Sequence, residues 1–238
     1  MNGAITFDGD PLLDGGPTPT VVFTAPTGDK TVDLTVTDDE ASTAMCSASV
    51  AVRDTIPPDL TVPPDVTEEC ASPSGTAVAL GDPVVSDYCD KAVLVQNDAP
   101  SLFPLGPTDV TWLAIDDDGN QTTGVQGVLI QDTTPPTVEC NAQASITPPD
   151  APISFTATAE DVCEGPLAPE ITEYTCFTYT KKGKLIHKTN SCIVSFAGDT
   201  ITIADSGGVD TRIEWTTQAA DGSGNVSSVV CGVDVIKP

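Results

Sequence analysis

Apolar residues return at every second position in three stretches of the chain: Val32, Leu34 and Val36; Val110, Trp112 and Ala114; and Ile213 with Trp215. That period belongs to a β-strand with one face turned inward, which places Trp112 and Trp215 in core positions. Each stretch ends in an acidic or glycine-rich turn (Asp38-Asp39-Glu40, Asp116 to Asn120, Asp221 to Asn225) and is followed by a Ser-, Thr- and Val-rich run. The pattern predicts three β-hairpins, each closing a module. It also repeats at a fixed stride: Thr31–Asp39 is echoed by Asp109–Asp117, and Asp54-Thr-Ile-Pro-Pro58 by Asp132-Thr-Thr-Pro-Pro136, both with an offset of 78 (109 minus 31, 132 minus 54). Tandem modules follow, spanning 1–54, 55–132 and 133–238. The first supplies about half a sandwich, so its remaining strands come either from residues ahead of Met1 or from another chain by strand addition.

Composition sharpens the fold class. With 21 Pro and 19 Gly, helices of any length are disfavoured. The expectation is an all-β chain of tandem immunoglobulin-like β-sandwiches arranged as a linear rod. Eight cysteines, no Cys-x-x-Cys pair and a single histidine fit disulfides in an oxidising, extracellular or cell-surface setting better than zinc or iron–sulfur ligation. No signal-peptide pattern follows Met1 and no stretch of 18 apolar residues occurs, so the chain reads as an excerpt or mature fragment with no membrane insertion. The formal charge of -26 excludes nucleic acid and anionic membranes as partners, because both demand clustered Lys and Arg. It suits calcium, and equally suits solubility of an extracellular polymer.

Residues Ile56-Pro-Pro, Leu102-Phe-Pro-Leu-Gly-Pro-Thr-Asp-Val-Thr-Trp112 and Asp116-Asp-Asp-Gly-Asn-Gln121 resemble the hyalin repeat (HYR), an immunoglobulin-like module of extracellular proteins. Module three is similar to a divergent member through Pro135-Pro-Thr-Val-Glu-Cys140 and Asp221-Gly-Ser-Gly-Asn225, and module one resembles the C-terminal half of a polycystic-kidney-disease (PKD) domain. The resemblance implies the sandwich fold and the extracellular compartment. It implies a structural or adhesive role in a filament, fibre or surface appendage built by self-association or contacts with neighbouring modules. The alternative is a carbohydrate- or surface-binding accessory module recognising cell-surface glycans.

The cysteines are assigned by the stride. Cys140 corresponds to Val62 and Cys46 to Gly124, so module two has lost both positions together; joint loss pairs Cys140 with Cys231. Cys70 is paired with Cys89 inside module two. Cys46 then lacks a local partner. Aligning Trp112 with Trp215 leaves 25 extra residues in module three (103 minus 78). The run Cys176 to Cys192 is symmetric about Lys184, with a turn at Lys182-Gly183-Lys184, and predicts a basic hairpin over about 174–194 closed by Cys176 with Cys192. Cys163 is left over, either free or exchanged into that hairpin bond.

Three candidate sites remain. Lys181, Lys182, Lys184 and Lys188 make the hairpin tip the one basic feature, either a solvated edge or a knob for the acidic flank of another subunit. Asp116, Asp117 and Asp118 are expected near Asp54, Asp59 and Asp87, and Asp132, Asp161 and Asp221 together, each an oxygen-rich set suited to Ca2+, although such residues also initiate turns. Tyr174, Phe177 and Tyr179 form either a sugar platform or core packing. The sequons at Asn120 and Asn225 are candidate glycosylation sites. No catalytic constellation is legible: a triad would have to use His187, in the lysine-rich hairpin and far from any Gly-x-Ser-x-Gly turn, and no cofactor is required.

Overall fold

A computed structural model describes residues 28–149, 151–180, 183–187 and 192–237. Among the described residues every regular element is a strand. They are β1 (Gly28–Thr37), β2 (Thr43–Val52), β3 (Asp59–Thr61), β4 (Val66–Glu69), β5 (Val84–Ser86), β6 (Leu94–Asn97), β7 (Gly106–Ile115) and β8 (Gln121–Gln131). Then follow β9 (Thr137–Glu139), β10 (Ser145–Ile146), β11 (Ile153–Thr156), β12 (Thr158–Asp161), β13 (Gly165–Leu167) and β14 (Glu170–Tyr179). The last are β15 (Leu185–His187), β16 (Ile193–Ala197), β17 (Thr200–Asp205), β18 (Thr211–Ala220) and β19 (Val226–Val235). The alternation read from the sequence is the observed one: Val110, Trp112 and Ala114 are buried along β7, as are Ile213 and Trp215 along β18.

The described residues fall into two compact units. The first comprises the described part of Met1–Pro63 with Gly81–Asp98 and Thr111–Gln126. Here β1 and β2 pair antiparallel from Gly28↔Val52 to Thr37↔Thr43, and Asp38 turns the chain by accepting the backbone N–H groups of Glu40 and Ser42 at 3.0 and 2.7 Å. β3 pairs with β5, and β6 with the end of β7. Trp112 donates its indole N–H to the fully buried Gln126 at 3.1 Å, which satisfies both polar groups inside the core. A Cβ added at Gly124 would meet Val62 Cγ1 at 2.5 Å. Val62, just past the end of β3, thus packs directly against Gly124 in β8, where only glycine leaves it room.

The second unit comprises Pro64–Leu80, Ala99–Val110 and Gly127–Pro238. β4 runs parallel to the end of β8, from Val66↔Val128 to Glu69↔Gln131. Glu69 anchors the chain beyond it, accepting hydrogen bonds from the Thr133 N–H and from the Thr133 and Thr134 hydroxyls. The five-stranded sheet β10-β19-β18-β14-β15 faces the three-stranded sheet β11-β17-β16, with β13-β12-β9 as a further sheet. Phe155 and Trp215 stack between the two larger sheets with centroids 5.9 Å apart, surrounded by Ile171, Ile201, Ile203 and Ile213.

Cys140 is bonded to Cys231 and Cys176 to Cys192. The expected Cys70–Cys89 bond is replaced: Cys70 is bonded to Cys163, and Cys89 is free and exposed. Cys70, which donates its N–H to Gln131 O, shares the second unit with Cys163, whereas Cys89 belongs to the first. The inserted hairpin also differs from its predicted symmetry. β14 and β15 pair Phe177↔His187 and Tyr179↔Leu185, so the turn closes over Thr180–Lys184, and Gly183 at φ 75° donates to Thr180 O. Cys192 therefore lies beyond β15 rather than opposite Cys176.

The Val62–Gly124 contact yields a two-way test by chemical denaturation. Gly124→Val should cost ~1–3 kcal/mol through overpacking. Val62→Cys combined with Gly124→Cys should place a bridge across this close approach and raise the unfolding midpoint relative to its own reduced form.

Candidate cation and turn sites

Each closing hairpin begins with one five-residue turn. Asp116 Oδ1 accepts the Asn120 N–H at 2.7 Å and Asp221 Oδ1 accepts the Asn225 N–H at 2.8 Å. Gly119 and Gly224, at φ 93° and 92°, supply the left-handed residue these turns require. The asparagine amide then reaches out of the turn. Asn120 Nδ2 donates to Asp116 Oδ2 at 2.7 Å and to the Asp54 carbonyl at 3.3 Å; Asn225 Nδ2 donates to Asp221 Oδ2 at 2.9 Å and to the Asp132 carbonyl at 3.1 Å. The amide nitrogen a glycan would need at either sequon is thus committed to two hydrogen bonds.

Around each turn sits a set of carboxylates with a common division of labour. Asp54 Oδ1 accepts the Ile56 N–H, Asp87 Oδ1 those of Cys89 and Asp90, Asp132 Oδ1 that of Thr134, and Asp161 Oδ1 those of Cys163 and Glu164. The second oxygen of all four is buried with no hydrogen-bond partner. Asp54, Asp132 and Asp161 are only 7%, 8% and 3% exposed. Oxygens of Asp54, Asp87 and Asp116 lie within 4.8 Å of one another, and so do ligand atoms of Asp132, Asp161 and Cys163. Buried carboxylate oxygens that face one another unsatisfied are costly unless a cation joins them. The Asp54, Asp87 and Asp116 set is all oxygen, the donor type a hard divalent ion such as Ca2+ prefers; the second set has two carboxylates and a sulfur held in a disulfide.

The structure divides the expected ligands. Asp54, Asp87 and Asp116 come together in the first unit. Asp59 is exposed in β3 opposite Ser86, and Asp117 and Asp118 are exposed on the turn, outside the cluster. The Asp117 N–H donates to Asp90 Oδ2 at 3.2 Å, a contact to a residue the sequence reading passed over. In the second unit Asp132 and Asp161 come together, while Asp221 stands at the equivalent turn, linked to Asp132 through Asn225. Cys163 sulfur is occupied by Cys70. The overlooked signal was the repeated Asp-x-Cys tripeptide, Asp87-Tyr-Cys89 and Asp161-Val-Cys163.

The aromatic candidates do not share a platform. Tyr174 is in register with the core residue Trp215 and meets Phe196 edge-on at 6.3 Å, whereas Phe177 is in register with Arg212. The Tyr179 hydroxyl donates to Asp234 at 2.9 Å, within an ion-pair network in which Arg212 bridges Glu214 and Asp234. Lys184 is exposed in the hairpin turn; Lys181, Lys182 and Lys188 lie outside the described residues.

Burial pushes the Asp116 and Asp221 carboxyls up, but donation by the asparagine amide, the asparagine N–H and the next backbone N–H groups outweighs it and holds both below the ordinary 3.8. A depressed folded value contributes stability above the ordinary value that is lost as pH falls below it. Asn120→Ala and Asn225→Ala should therefore lower the neutral-pH urea midpoint and make the decline in stability below about pH 4 shallower. An unchanged acid limb, measured by circular dichroism, would contradict this account.

Comparison with known proteins adds a family. The HYR domain family matches residues 53–130. Hyalin of Lytechinus variegatus is 35% identical over 124 residues, covering 48% of this chain and 23% of that protein. Hyalin of Strongylocentrotus purpuratus is 34% identical over 124 residues, covering 48% of this chain and 10% of that protein. The chain thus spans under a quarter of the curated relatives it matches. Among solved structures, a protocadherin gammaB7 EC3-6 cis-dimer has 14% identity and a TM-score of 0.35, covering 87% of this chain and 58% of that one. A human desmocollin-1 ectodomain has 11% identity and a TM-score of 0.29, covering 88% and 45%.

Proposed function

Residues 53–130 form a hyalin repeat module, and on that premise we propose that the chain is a non-enzymatic stretch of an extracellular structural or adhesive protein, its modules divided near 54 and 132 and arrayed as a rod. The observation that carries the reading is the repeated turn whose asparagine grips the carbonyl of the preceding Asp-x-x-Pro-Pro segment, Asp54 in one case and Asp132 in the other. A turn that holds the chain leading into its own module stiffens a string of modules and makes no catalytic cleft. The Cys70–Cys163 bond supports the same role, because it ties the module 55–132 to the one that follows.

Calcium completes these holds. Asp54, Asp87 and Asp116 form one site; Asp132 and Asp161, with Asp221 at the neighbouring turn, form the other. A bound cation offsets the repulsion among the carboxylates and orders the Asx turns that use their other oxygens. Chelator-treated protein titrated with calcium should show two binding events, and stability should rise by about 2.7 kcal/mol at a hundredfold excess over Kd. Asp54→Asn with Asp87→Asn should remove one event, and Asp132→Asn with Asp161→Asn the other. A chain whose melting temperature ignores millimolar calcium would refute the cation reading.

For assembly we favour self-association through charge: the basic hairpin carrying Lys181, Lys182, Lys184 and Lys188 docks on the acidic flank of another subunit. Reversing Lys181, Lys182 and Lys184 to Glu should weaken polymers seen by negative-stain microscopy at low salt. Polymers of unchanged length would eliminate the hairpin as the contact. The glycan-binding alternative has less support, since Tyr179 is engaged by Asp234 and Tyr174 and Phe177 belong to different register pairs.

A further inference from the structure

One sulfur of the Cys70–Cys163 bond lies among carboxylates. Ligand atoms of Asp132, Asp161 and Cys163 are within 4.8 Å of one another, and all three residues are buried. Cys70 brings a second sulfur to the same place, because it is bonded to Cys163. All four residues belong to the second unit. Backbone pairing sets the arrangement. Cys70 follows β4 and donates its N–H at 2.8 Å to the carbonyl of Gln131, the residue before Asp132, while Asp161 ends β12 two residues ahead of Cys163.

The two carboxylates are anchored on one side and unsatisfied on the other. Asp132 Oδ1 accepts the Thr134 N–H at 3.2 Å, and Asp161 Oδ1 accepts the N–H groups of Cys163 and Glu164 at 2.7 and 3.1 Å. Their second oxygens are buried without a hydrogen-bond partner, in residues only 8% and 3% exposed. A buried carboxylate oxygen in that position is costly until a cation or a donor reaches it. In the cystine, the neighbouring sulfur is no help, since a metal binds the thiolate. Before the cystine forms, both residues are thiols, and two sulfurs and two carboxylates then converge. Four is the number of ligands a structural zinc takes. Zn–S bonds of about 2.3 Å and Zn–O bonds of about 2.0–2.2 Å put neighbouring ligands of a tetrahedron about 3.3–3.8 Å apart, so atoms already within 4.8 Å need move little. The Asp161–Cys163 hydrogen bond is the kind of outer support that orients metal ligands. A way in is present as well. A groove of about 670 Å³ is lined by Asp161 and by Ala71 and Val162, the chain neighbours of the two cysteines, and its exposed Glu139 and Glu160 attract cations.

We propose that the dithiol form of this pair is a site for a thiophilic divalent ion of the zinc class, with Cys70 and Cys163 as thiolate ligands and Asp132 and Asp161 as carboxylate ligands, and that disulfide formation expels the ion. Binding releases one proton from each thiol. On oxidation an exchanging disulfide takes two electrons from the two thiolates and leaves as two thiols with two protons from solvent, while the Cys70–Cys163 bond forms and the ion departs hydrated. The carboxylates that remain are a harder set. This inference uses the same Asp132 and Asp161 as the calcium reading but does not require that calcium bind.

The test uses the full chain with Cys46→Ser, Cys89→Ser and Cys70→Ser, which leaves Cys163 as the one thiol while Cys140–Cys231 and Cys176–Cys192 stay bonded. Cobalt(II) added to this protein should produce a thiolate-to-metal charge-transfer band that saturates at one equivalent. Adding Asp132→Asn and Asp161→Asn should weaken binding at least hundredfold with the thiol count unchanged. No band, or a band undiminished by the asparagines, would overturn the site. X-ray absorption needs no aspartate variant and should find sulfur and oxygen together around the cobalt; a shell without sulfur would also overturn it. The expulsion step is read on the chain carrying only Cys46→Ser and Cys89→Ser, reduced with a phosphine and allowed to reoxidise. Zinc should slow the return of Cys70–Cys163 in peptide maps at least tenfold and leave the return of Cys140–Cys231 unchanged. No slowing, or equal slowing of both bonds, would refute that step. The calcium titration reads the oxidised chain, so stabilisation by calcium without a cobalt band refutes only this inference, and the reverse result refutes only the calcium reading.

Discussion

One hydrogen bond organises both ends of the hyalin repeat module: the amide of the turn asparagine reaching the carbonyl of the aspartate that leads into the module. Asn120 makes it to Asp54 and Asn225 makes it to Asp132. It is available only because the rest of the asparagine is already fixed, its N–H and its second amide hydrogen both held by the aspartate that opens the turn. The proline pair after each linker aspartate then has a defined direction in which to leave.

That hold brings a liability with it. Placing Asp54, Asp87 and Asp116 within 4.8 Å of one another, and Asp132 beside Asp161, concentrates negative charge in partly desolvated space. Each linker and loop aspartate resolves half of the difficulty by giving one oxygen to backbone N–H groups as an Asx turn. The second oxygen of Asp54, Asp87, Asp132 and Asp161 is left buried without a hydrogen-bond partner.

The core is closed by different means in different places: Cys140–Cys231 links strands covalently in the second unit, while Val62 packs tightly against Gly124 in the first. Cys70, just past β4, is bonded to Cys163, just past β12, so a covalent link joins segments 93 residues apart, while Cys89 is free and exposed.

Much of this was legible from residues alone. Period-two alternation around Trp112 and Trp215 is a local property of strands, so hairpins, core face and closing turns could be read directly, and the expected Cys140–Cys231 bond is the observed one, although Gly124 stands level with Val229 rather than with Cys231. What only the tertiary structure decided are relations that no local spacing encodes. Cys70 and Cys89 are close in sequence but belong to different compact units, and Cys70 is bonded within its own unit to a partner 93 residues away. The hairpin at Thr180–Lys184 takes its register from backbone pairing rather than from the symmetry of its cysteines. Asp59, Asp117 and Asp118 look like ligands in the sequence, but strand and turn direction point them to solvent, because a carboxylate joins a site by where its backbone aims it.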